Sequence, residues 1–95
     1  MKDVKSYSGV WVFLGEGAIH AGAVFEARAE AEKWIEHYRL TGTLTKYPIN
    51  QSIYDWVIEN GYWAPSTPAH ERPKYIAMFS SAYLEHSHYF DGECH

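Results

Sequence analysis

The chain has 95 residues, and twelve acidic against eight basic side chains leave it with a formal charge of -4. That length fits one small domain, and the longest basic stretch, Arg72-Pro73-Lys74, is far short of the clustered cations that a nucleic-acid phosphate track needs. No apolar run approaches the ~20 residues of a membrane span, and the opening MKDVKSYSG has no signal-peptide core. With a single cysteine, Cys94, the expectation is a reduced, cytoplasmic protein with no membrane or nucleic-acid partner.

Residues 1–8 are polar and read as a flexible N-terminus, 9–91 as a single domain and 92–95 as a C-terminal tail. The first apolar run, Gly9 to Gly15 (GVWVFLG), lacks polar alternation, as in a central strand covered on both sides. Gly15-Glu16-Gly17 supplies a turn, and Ile19 to Phe25 returns as a second strand in which Gly22 marks a bulge or a close approach. From Glu26 to Arg39 the apolar residues Ala27, Ala31, Trp34, Ile35 and Tyr38 fall on one stripe and predict a helix. Its start is weakly capped, since neither Glu26 nor Ala27 is a favoured cap. Leu40-Thr41-Gly42 closes it.

Thr43 to Tyr47 reads as a third strand, stopped by Pro48. Ser52 followed by Asp55 resembles a capping box. It would open a short helix that buries Ile53, Trp56 and Val57 and stops at Gly61. Residues 64–72 hold two prolines and read as a loop. Pro73 can open a third helix, carried by Tyr75, Ile76, Phe79 and Tyr83. Ala82 to Phe90 could extend that helix, but its aromatic content and the Asp91-Gly92 ending favour a strand. The predicted class is therefore α+β: a small, mostly antiparallel sheet of about four strands with helices packed on one face, in the order β-β-α-β-α-α-β. A right-handed crossover from the second strand to the third would leave the first between them.

GVWVFLG, then AVF with AEAEKWIEHYRLTGTLTKYP, then YDWVIENG, resembles a family of small bacterial proteins known as a domain of unknown function. The resemblance runs from about Gly9 to EHSHYFDG. Where family members usually carry Ser or Thr before the first helix this chain has Glu26-Ala27, which touches capping and not chemistry. The resemblance implies a compact α/β domain of bacterial source and brings no activity, hence no catalytic residues.

No nucleophile elbow, phosphate-binding loop or dinucleotide-binding glycine pattern occurs. Asp55, between Tyr54 and Trp56, is explained by the helix cap and dipole. Tyr62, Trp63, Tyr83, Tyr89 and Phe90 exceed what one small core absorbs, and point to a non-catalytic, mildly acidic protein-interaction module, through a protein partner or self-association. A basic toxin that it neutralises would be one such partner.

The alternative is a metal-binding domain, conceivably a small hydrolase. On a strand His86 and His88 share a face and could hold zinc or another divalent transition metal. Cys94 or His95 would serve as a third ligand and His20 or His70 as a fourth. The plainer account of H-x-H is a polar strand face, because structural zinc sites show two well-spaced ligand pairs. Six histidines also allow a surface whose association changes with pH near the ~6.5 of free imidazole.

Overall fold

The computed structural model describes residues 7–95. Its regular elements are strands β1 (Gly9–Gly15) and β2 (Ala23–Phe25), helix α1 (Arg28–Tyr38), strand β3 (Gly42–Pro48), helices α2 (Ile53–Glu59) and α3 (Pro73–Met78), and strands β4 (His86–Phe90) and β5 (Glu93–Cys94). They form one five-stranded sheet in the order β2-β1-β3-β4-β5, every neighbouring pair antiparallel. The α+β class and the place of β1 between β2 and β3 are as the sequence implies. β2 and β3 both run against β1 and so parallel each other, joined by α1 as the crossover helix.

Several boundaries differ from the sequence reading. β2 starts only at Ala23, and Ile19 is 89% exposed in the preceding loop. A fifth strand occupies what reads as a tail: Asp91 (φ 50°) and Gly92 (φ 87°) both take positive φ, as a two-residue type I′ hairpin requires, and turn the chain back. Gly92 is held by its N–H on the Leu40 carbonyl at 2.8 Å, and a Cβ there would lie 3.0 Å from the Arg39 Cα. The 64–72 loop contains a 3-10 turn at Pro68–Glu71.

The ends of α1 also differ. Ala27 offers no side-chain cap, and Tyr38, placed on the apolar stripe by periodicity, is 62% exposed. Arg39 (φ 56°) ends the helix: its N–H reaches the Glu36 carbonyl at 3.2 Å, and the Leu40 N–H reaches Ile35 at 3.0 Å. This is the bonding of a Schellman motif, with arginine in the left-handed position that glycine usually fills. Gly42 therefore does not close the helix. It lies in β3 opposite Gly15, where a Cβ would run into the Leu14 carbonyl oxygen and sit 2.7 Å from Phe13 Cζ. α2 is capped as its sequence suggests. Ser52 Oγ accepts the Asp55 N–H at 2.9 Å, and the hydroxyl donates to Asp55 Oδ2 at 2.9 Å, so the short carboxylate engages the cap hydroxyl where a longer Glu would reach the cap backbone.

Two cores result. Trp11, Phe13, Ala31, Ile35, Leu44 and Tyr89 bury between α1 and one face of the sheet. Trp56, Val57 and Leu84, wrapped by Tyr7, Tyr47, Tyr62, Trp63 and Phe79 among others, form a second cluster around α2. Among the described residues the largest fully buried side chains are Ile35 and Leu44 in the first core and Val57 and Leu84 in the second, each worth ~1.5–3 kcal/mol.

Tyr7 ties the second core to the sheet. Its hydroxyl donates to the Lys46 carbonyl at 2.8 Å and accepts the Glu85 N–H at 3.1 Å, while its ring lies 5.0 Å from that of Trp56. Tyr7 belongs to the stretch 1–8 expected to be flexible, and residues 1–6 of it lie outside the described residues.

Candidate interaction face

The register divides the side chains of the sheet between two faces. Phe13 opposite Leu44 opens the α1 face, to which Ser87 and Tyr89 also belong. On the other face Val24 pairs with Val12, Val12 with Thr45, Leu14 with Thr43, Thr45 with His86 and Thr43 with His88. Phe90 continues that row by strand alternation. No Asp, Glu, Lys or Arg stands among these residues of β1 to β4, while Glu93 of β5, paired with Phe90, brings a carboxylate to the edge of this face.

α1 covers the first face only. On the second, Leu14 is 44%, Val24 62% and Phe90 57% exposed. The sequence reading of β1 as covered on both sides is therefore corrected: it has a strand on either edge but a helix over one face. Two depressions score this open face. One of about 340 Å³ lies between Thr43, Thr45 and His86 and the Ser80–Ala82 segment, and the other, of about 420 Å³, reaches across Val12 and Leu14 to Ile19. They share Thr43, Thr45, Tyr47 and Ser80, so they form one shallow trough along β3.

Charge is concentrated on the opposite side. Arg28 lies over the Trp11 ring at 5.2 Å, pairs with Glu32 at 3.1 Å, donates to Ser87 Oγ at 2.6 Å and approaches Glu85 at 3.6 Å. Tyr89 donates its hydroxyl to the same Glu32 oxygen at 2.8 Å. Burial and then this bond push the Tyr89 phenol up to about 12, and the Tyr89 hydroxyl is the main cause holding Glu32 below its ordinary value. Arg28, Glu32 and Tyr89 thus satisfy one another and clamp α1 onto β4, which is a structural role.

The residues singled out from sequence are dispersed. Tyr83 (52% exposed) and Phe90 reach the surface, while Tyr62 and Trp63 are half-buried in the second core. The Tyr62 ring stacks on Tyr83 at 4.3 Å, and Trp63 lies among Tyr54, His70, Tyr75 and Phe79. Tyr89, expected on an interaction surface, is a core residue at 5% exposure, because strand alternation turns it towards α1 while Phe90 turns away.

Of the metal candidates, His86 and His88 do share a face, with ring centroids 5.2 Å apart. Cys94 pairs with Tyr89 and so stands on the α1 face, across the sheet from them. His95 is drawn to β4 by its N–H on the His88 carbonyl at 2.8 Å, and its ring lies 5.9 Å from Phe90. His20 is in the β1–β2 loop, and His70 Nδ1 accepts the Ser66 N–H at 3.1 Å within the second cluster. Among the described residues no group of three or more His, Cys, Asp or Glu side chains is placed to hold a metal ion.

Leu14, Ile19 and Val24 are surface residues that the search for functional side chains passed over. For Leu14 the signal was present in GVWVFLG, whose alternate residues Val10, Val12 and Leu14 are all apolar; Ile19 and Val24 lie outside that run. No helix among the described residues is long and apolar enough to cross a membrane. No curated protein and no solved structure matches the chain. Residues 10–95 match the family described as a domain of unknown function, DUF7710, and the chain belongs to that family.

Proposed function

We propose that this chain is a non-catalytic protein-interaction module whose contact surface is the open face of its sheet. The observation that carries this reading is the uncharged row across four strands, with Leu14, Val24 and Phe90 each more than two-fifths exposed beside the β3 trough. An antiparallel sheet that faces only water normally alternates apolar and polar residues along its strands. β1 instead carries Val10, Val12 and Leu14 outward, the composition of a surface that a second layer covers. Interface centres are likewise depleted of charge and enriched in aromatic residues. This reading moves the contact surface away from the Tyr62-Trp63 exit of α2, whose rings serve the second core. Phe90 lies on the open face, and Tyr83 is about half exposed beside Tyr62.

The test is a triple substitution of exposed residues, Leu14→Ser, Val24→Ser and Phe90→Ser. Because exposed sites usually shift stability by no more than ~0.5 kcal/mol each, the variant folds. It is expected to lose partners retained by the native protein in a cell extract, and any self-association seen by sedimentation. Retention and sedimentation identical to those of the native protein would remove the reading.

A further inference from the structure

We infer that His86 and His88 form a chelating site for a divalent transition-metal ion on the open face, a property that goes beyond the docking role and does not depend on it. The two side chains stand on the same face of β4, and their ring centroids are 5.2 Å apart. An imidazole bound through a ring nitrogen holds its centroid ~3.2 Å from the ion, so two of them at the tetrahedral angle stand ~5.2 Å apart. The centroid spacing in the folded chain thus matches that of two ligands on one ion.

The hydrogen bonds also favour ligation. His86 Nδ1 lies 2.8 Å from the Leu84 carbonyl oxygen. A carbonyl only accepts, so Nδ1 carries the proton and Nε2 keeps its lone pair, the arrangement in which metal-ligating histidines are usually held. His88 Nδ1 is 3.3 Å from Thr43 Oγ1, a hydroxyl able to accept its proton, and in that tautomer Nε2 is the ligand atom. The row of residues around the pair holds no Lys or Arg to repel a cation. Imidazole donors suit copper, nickel and zinc and not magnesium or calcium. Among the described residues no third side chain completes a metal-holding group with the pair, so water fills the remaining coordination positions.

Untagged protein titrated with Ni(II), followed by calorimetry and by the imidazole C–H resonances, tests the site. One ion per chain is expected, with the His86 and His88 signals broadening before the other four, and with Cu(II) bound more tightly than Ni(II). His86→Ala and His88→Ala should each lower affinity on the order of tenfold or more. His86→Gln and His88→Gln, which keep a polar side chain at each position, should do the same with an unchanged thermal transition. Native-like binding by the doubly substituted protein, broadening spread evenly over all six histidines, or no binding at all would overturn the assignment.

Discussion

The two faces of the sheet are made by the same strands and hold their structure by different means. On the α1 face, Leu44 and Ile35 are fully enclosed, and a charged cluster of Arg28, Glu32 and Tyr89 pins the helix in place. On the open face Leu14, one residue from Phe13, is nearly half exposed, and its neighbours are threonine and histidine. The difference shows how little of a face's role resides in its residue types. Val12 and Leu14 are as apolar as the residues beneath α1, yet they lack a covering layer, so their contribution to folding is small and they remain available for binding.

The largest expected effect follows from that contrast. Leu44→Ala should cost about 2–5 kcal/mol, the range for emptying an enclosed leucine site. Leu14→Ala, across the sheet, should cost under ~1 kcal/mol because water already reaches the side chain. Urea unfolding of both variants measures the asymmetry, and equal losses would mean that the open face is covered in solution.

Removing the clamp should have an intermediate effect. Tyr89→Phe leaves Glu32 with one fewer donor and is expected to cost about 1–3 kcal/mol. It should also change the pH profile. The Tyr89 phenol is raised to about 12 in the folded chain, so the fold binds that proton more tightly than the unfolded chain does. Its stabilising contribution is complete below the unfolded value of ~10 and disappears as pH rises through about 12. Glu32 is lowered, chiefly by the same bond, so its contribution is present above the ordinary glutamate value and is lost as pH falls through the folded one. Thermal unfolding across both ranges should therefore show shallower losses in Tyr89→Phe than in the native protein.

A smaller effect than loss of the clamp is expected at the start of α2. Ser52→Ala removes the α2 cap and should cost about 1 kcal/mol, read as a shift in the denaturation midpoint. It loosens the start of α2 and leaves Leu14, Val24 and Phe90 unchanged, so binding through the open face should survive it.

Features set by a few adjacent residues were legible in the chain. The Ser52–Asp55 cap, the end of α2 at Gly61, Pro73 at the start of α3 and the end of β4 at Phe90 all depend on neighbours in sequence, because capping and turn geometry act over one or two turns of backbone; that strand's start, expected at Ala82, falls at His86. Asp91-Gly92 carried more information than its reading as an ending allowed, since that dipeptide also specifies a hairpin and hence β5. Other outcomes depended on which segments meet in space. Gly42 is required because β1 passes close to it, and Tyr7 is anchored by Lys46 and Glu85, far along the chain. Cys94 is separated from the histidines because an alternation of two residues per repeat places it on the far side of the sheet. The apolar character of β1 was written in GVWVFLG. Whether one layer or two would cover it was decided only when α1 docked on one face and α2 and α3 gathered around a core of their own.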